Sequence, residues 1–110
     1  MSLDSMPQSV MAYLASEEAK NAQALSRCFA EGGTLHDEGK DYHGRAAIQR
    51  WKEAADAKYR YVLQPISAQT EGERTTVLAR LTGDFPGSPV DLNHSFTISN
   101  GEIVSLEIYS

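Results

Sequence analysis

The chain has 110 residues, 41% of them hydrophobic, and its 15 acids against 10 bases leave a net charge of −5. That length and composition fit one folded domain, 1–110, with a single core, and exclude a disordered chain. The acidic balance and scattered Lys and Arg argue against nucleic acid, whose phosphates need clustered cations.

No apolar run approaches the 18 residues of a membrane span. The opening MSLDSMPQSV has neither a basic head nor a long apolar stretch, so a cytoplasmic protein is expected. Asp4, Ser5 and Pro7 signal a helix start, and Met6, Val10, Tyr13 and Leu14 share one face of that helix. Ser16, with Glu17 and Glu18 behind it, is expected to cap a second helix carrying Ala22, Leu25 and Phe29. The lone Cys28 excludes an internal disulfide and falls in that apolar pattern, so it is read as an inert thiol. Gly32-Gly33 is expected to end the helix.

A short strand, Thr34 to Glu38, follows, and Gly39 to Gly44 is expected to turn the chain into a third helix, Arg45 to Lys58. Its apolar stripe is Ala47, Ile48, Trp51, Ala54 and Ala55. After Tyr59 the pattern changes to alternation. Strands are expected near 60–69, 74–84, 92–99 and 102–109, with turns at Glu71-Gly72-Glu73 and Asn100-Gly101 and a loop at DFPGSPVD. Helices followed by a four-stranded meander give an α+β class, with helices on one face of a curved antiparallel sheet.

The stretch TLHDEGKDYHG gathers His36, Asp37, Glu38, Asp41 and His43. These are acceptable metal ligands, but strand alternation splits neighbours across faces and no His-x-x-x-His supports a site, so no metal is assigned. No glycine-rich nucleotide loop is present, and no cofactor is expected. Alternation puts Leu35 and Asp37 on one face. It also puts Leu92, His94, Phe96 and Ile98 together on another strand. A histidine on such a face is more often a satisfied core group than a working one.

Three segments carry a resemblance: ALSRCFAEGGTLHDEG, YHGRAAIQRW and HSFTISNGEIVSLEIY. With the element order they resemble the nuclear transport factor 2-like superfamily, in its SnoaL-like and ketosteroid-isomerase-like branch, over residues 6 to 109. The resemblance implies a cone of three helices and a curved sheet with a pocket at its wide end, and a homodimer. It also implies that Tyr13 falls on an oxygen-binding tyrosine and Asp37 on a proton-moving base. His94 stands where the steroid isomerases have a protonated aspartate, a departure from their pattern. Arg80 has Thr82 two positions on, so the Asp–Arg–Asp set of the epoxide hydrolase branch is incomplete; its expected partner is an acid across the sheet.

The expected site is therefore Asp37, Tyr13 and His94, in a pocket lined by Leu35, Trp51, Tyr59 and Phe96. The expected ligand is a small apolar or carbonyl-containing compound. The fold hosts both catalysts and binding modules. An isomerase, cyclase or lyase with an aspartate proton shuttle and a non-catalytic ligand-binding or dimeric module both remain open.

Overall fold

Pro7 lacks the amide hydrogen that a helix start leaves unpaired, and it stands at the N-cap of α1 (Gln8–Glu18). The computed structural model describes residues 6–110; Asp4 and Ser5, read as part of this helix start, lie outside the described residues. α1 carries Val10 and Tyr13 inward, as their spacing predicts. Ser16, Glu17 and Glu18 do not open a second helix; they close the first. Ser16 turns its hydroxyl back onto the Ala12 carbonyl at 2.8 Å, which suits a helix interior. The helix ends where Lys20 takes a left-handed φ of 56°. The cap of α2 (Ala22–Arg27) is Asn21, whose side chain accepts from the Ala24 amide at 3.0 Å.

Gly32-Gly33 does not end this helix either. Both lie in β1 (Phe29–Asp37), where the pairing register slips between Phe29 and Thr34. A Cβ on Gly33 would sit 3.0 Å from the carbonyl oxygens of Ala30 and Ile103, so this close backbone approach requires glycine. The expected turn 39–44 contains a strand, β2 (Lys40–His43), joined to β1 through Glu38 and Gly39, both at positive φ. That hairpin geometry ordinarily selects Asn-Gly or Asp-Gly, so glutamate in the first position hid it.

α3 (Arg45–Lys58) precedes a meander of β3 (Tyr61–Glu71), β4 (Arg74–Gly83), β5 (Val90–Ser99) and β6 (Glu102–Tyr109). Asn100-Gly101 makes the last hairpin at φ 52° and 76°, as its sequence predicts. The order across the sheet is β2-β1-β6-β5-β4-β3. Pairing is antiparallel except between β1 and β6, which run parallel and make the sheet mixed. The sheet is curved and unclosed, with β2 and β3 as its edges, and the three helices complete an α+β, cone-like fold.

The core lies between helices and sheet. Of the core expected from the sequence, Phe29, Ile48, Trp51, Phe96 and Leu106, all but Trp51 are fully buried, together with Tyr13, Leu25 and Leu35; Trp51 is only partly buried. Two expectations shift. In α3, Ala54 is exposed and the charged Lys52 is buried in the helical stripe. In β6, whose alternation would set Val104, Leu106 and Ile108 on one face and Ile103 on the other, both Ile103 and Leu106 are buried, since a register shift opposite Thr97 and Ile98 breaks strict alternation. On the outer face Arg80 meets Asp91, its cross-strand partner, in two hydrogen bonds of 2.8 and 3.1 Å. Among the described residues no helix is long and apolar enough to cross a membrane.

Ile48 is the apolar anchor of α3, so Ile48→Ala should cost about 2–5 kcal/mol in denaturant titration. A change under about 1 kcal/mol would show that α3 is not held by this contact.

Candidate functional site

A helix face that buries Val10 and Tyr13 also carries Glu17, one turn beyond Tyr13. α3, β5 and the ends of β1 and β6 bring further polar groups to the same place, around a cavity of about 820 Å³. That volume lies within the range of small-molecule sites. Tyr13, Asp37 and His94 all line it.

Each of the three is perturbed by burial. Tyr13 is fully buried, its ring packs edge-on against Phe96 at 5.1 Å, and its hydroxyl has no hydrogen-bond partner. Desolvation, then the nearby Glu17 carboxylate, hold its pKa well above the usual range, so it stays a donor. His94 is 3% exposed and stacks on the same Phe96 at 6.4 Å. Burial pushes it down to about 4, so the ring is neutral near pH 7, and its Nδ1 is unpartnered. Asp37 is half-buried. The Trp51 Nε1–H donates to its Oδ2 at 3.1 Å, and desolvation raises its pKa although that hydrogen bond works the other way.

The expected wall divides. Trp51 and Tyr59 line the cavity, Tyr59 in an edge contact with Phe85 at 6.0 Å. Leu35 and Phe96 do not line it: both are fully buried in the core behind it. Trp51 is only partly buried, because its indole faces the cavity and Asp37. His36 is exposed and pairs with Asp41 at 2.5 Å, yet it also reaches the cavity rim beside Glu38. Its pKa is raised, first by that hydrogen bond. No group of three metal-ligating side chains forms among the described residues. Cys28 gives its thiol to the Ala24 carbonyl at 3.4 Å, and burial raises its pKa, the state of an unreactive thiol.

Sequence reasoning missed one constellation. Lys52 is 0% exposed and donates to Glu17, to Asp56 at 2.7 Å and to the Tyr61 hydroxyl at 3.0 Å. Tyr61 in turn donates to Glu17 Oε1 at 2.9 Å. Glu17 and Tyr61 reach the cavity wall; Lys52 and Asp56 stand behind them. A signal was present: Glu17 is seven residues from Val10, and Lys52 is four from Ile48, so both fall on the buried faces of their helices.

A cone-like α+β fold around such a cavity is the fold of the nuclear transport factor 2-like superfamily, ketosteroid-isomerase-like branch. The chain belongs to the SnoaL-like domain family, which matches residues 10–106. It is similar to a candidate polyketide cyclase from Sinorhizobium meliloti, with 38% identity and a TM-score of 0.93 over 98% of this chain and 99% of that one. A protein with a ketosteroid isomerase-like fold from Catenulispora acidiphila, in complex with trimethylamine, is 27% identical. Its TM-score is 0.85 over 96% of this chain and 87% of that one. A candidate polyketide cyclase from Xanthomonas campestris shares the fold at 20% identity, with a TM-score of 0.83 over 93% and 87% of the two chains. No curated protein matches the sequence.

The depressed His94 has a stability consequence. From its usual 6.5 down to about 4 the unfolded chain binds a proton that the folded chain refuses. Stability therefore rises with pH across that window and falls on acidification, by an amount on the order of 3 kcal/mol. His94→Gln should flatten this part of a thermal-melting profile; an unchanged slope would place the titration elsewhere.

Proposed function

We propose that this chain is a cytoplasmic small-molecule-binding protein that acts as a cofactor-independent isomerase or cyclase on an apolar carbonyl compound. Asp37 moves the proton, and Tyr13 and His94 hold the oxygen on which charge develops. The observation that carries the reading is the pair of buried polar atoms without partners, Tyr13 Oη and His94 Nδ1, in the wall of a cavity that also holds Asp37. Leaving a buried polar atom unpaired costs free energy, so their natural partner is a ligand atom. The likeness to the 38%-identical Sinorhizobium meliloti protein, described as a candidate polyketide cyclase, supports the same class.

The chemistry follows from the environments. A carboxylate lifted by desolvation is a better base toward a weakly acidic C–H than one in water. Trp51 steadies one of its oxygens and leaves the other for the substrate proton. Removing that proton places negative charge on the carbonyl oxygen. The Tyr13 hydroxyl is held protonated and supplies a hydrogen bond there. Neutral His94 donates a second from Nδ1 in the tautomer that carries its hydrogen on that atom. Both bonds strengthen as the enolate forms, which is differential stabilisation of the transition state. Returning the proton from Asp37 to a different carbon gives isomerisation; attack of the enolate carbon on a second carbonyl gives ring closure.

The second reading is a binding module of the same fold, in which the cavity holds its ligand unchanged. It shares every contact above and differs only in whether Asp37 takes a proton. Exchange of the α-protons of 2-tetralone in heavy water, followed by NMR, separates the two. The enzyme reading expects exchange well above buffer and a loss of about 10²–10⁴-fold in Asp37→Asn. Thermal stability should be unchanged or improved, because asparagine still accepts from Trp51 and removes a desolvated charge. Bound 2-tetralone without exchange would leave the binding module, and a strongly destabilised Asp37→Asn would make Asp37 a structural acid.

We also propose a homodimer through the outer face of the sheet. Val62 is 67% exposed and Ile66 42% exposed on the edge strand β3, apolar surface that a partner would cover. Light scattering at micromolar concentration should return twice the chain mass; the mass of a single chain would overturn this.

A further inference from the structure

The proton transfer proposed above gives no task to Glu17. Its carboxylate is 3% exposed and on the cavity wall. Oε1 takes both the Lys52 ammonium and the Tyr61 hydroxyl, whereas Oε2 has no hydrogen bond among the described residues. The ammonium cannot serve the cavity, because its three protons go to Glu17, Asp56 and Tyr61. Tyr61 is likewise used, accepting from Lys52 and donating to Glu17.

The rest of the lining has the same sign. Asp37, Glu38 and Glu107 join Glu17 around the cavity, and no lysine or arginine lines it among the described residues. The lining His36 has its Nδ1 engaged by Asp41. A carboxylate or phosphate placed here would meet four acids and no lysine or arginine among the described residues, in a partly water-excluded space where charges are weakly screened. A ligand donor, by contrast, would find an acceptor already fixed by two internal contacts. The two unpartnered buried atoms, Tyr13 Oη and His94 Nδ1, mark the same cavity independently as a place where a polar ligand docks.

Resting on the cavity reading above, we infer that the ligand is uncharged and carries a hydroxyl, which donates to Glu17, and that anionic ligands are excluded. Glu17 is then a specificity-determining contact at a distinct point of the wall from the proton-moving Asp37. Lys52, Asp56 and Tyr61 are positioning residues that fix its orientation.

Three bicyclic probes of one shape test this by calorimetric titration at neutral pH: 2-naphthol, 2-naphthoate and 2-methoxynaphthalene. 2-Naphthol should bind at least about tenfold tighter than either of the others, a difference of about 1.4 kcal/mol. Equal affinity for naphthol and naphthoate would overturn the inference. Removing Lys52 alone would leave a buried uncompensated charge, so the informative variant changes both members, Glu17→Gln with Lys52→Met. Its preference for naphthol over naphthoate should shrink about tenfold. An unchanged preference in the folded double variant would overturn the role of Glu17. Should that variant fail to fold, Glu107→Gln, on an exposed wall position, should move the preference the same way by a smaller factor, and no movement would count against the inference. Leu81→Trp, which fills the cavity, separates this from the parent reading. Naphthol binding that survives it would overturn the cavity as the site, as would failure of all three probes to bind. Cavity-dependent binding without charge preference would overturn the present inference alone.

Discussion

The structure depends on one ammonium group. Lys52, without exposure to solvent, ties α1 to α3 through Glu17 and both to the edge strand through Tyr61. A buried lysine is costly unless every proton and the charge itself are answered, and here two carboxylates and a phenol answer them. Lys20 adds to the same corner: it donates to the Tyr61 carbonyl at 2.6 Å and lies 3.9 Å over the Tyr61 ring. Polar contacts with defined geometry hold the helices at a fixed place against the sheet. Apolar packing alone would favour collapse onto the sheet and fill the space between.

The cavity is the consequence of that spacing, and its polarity is graded. Toward the helices stand Tyr13, Glu17 and Trp51; toward the loop after β4 stand Leu81, Phe85 and Val90. The polar groups differ in what satisfies them. Glu17 has Oε1 held by Lys52 and Tyr61 and Oε2 without a hydrogen bond among the described residues, Asp37 is half-answered by Trp51, and the partner-seeking atoms of Tyr13 and His94 are unanswered. Each of these four side chains thus keeps an atom that a ligand can meet, and the scaffold of the site is the Lys52, Asp56 and Tyr61 set that orients Glu17.

Where sequence reading worked, local chemistry decided the outcome. The Asn100-Gly101 hairpin needs two consecutive positive φ values, which that dipeptide tolerates better than almost any other. The cross-strand pairing of Arg80 with an acid, and the inward Val10 and Tyr13, follow from periodicity and charge. It failed where distant atoms decided. Gly32-Gly33 carries the sign of a helix end, yet Gly33 is fixed by the Ile103 carbonyl seventy positions along the chain. Ser16 and Glu17 carry the sign of a helix start, yet Glu17 is held inward by Lys52. Leu35 and Phe96 share faces with the site residues, but a strand's inward face spans both core and cavity, and alternation cannot say where one becomes the other.

The sequence by itself determined the α+β class, the closing meander, the exclusion of an internal disulfide by a single cysteine, and the candidates Tyr13, Asp37 and His94. Those follow from periodicity, turn propensity, composition and likeness of motif, all of which act over a few residues or are read along the chain. Only the tertiary structure decided that β1 runs parallel to β6, that Lys52 is buried among acids, and that two polar atoms in the cavity wall lack partners. Burial and hydrogen-bond satisfaction are properties of what surrounds an atom in three dimensions. Residues far apart in the chain supply those surroundings, and no local pattern records them.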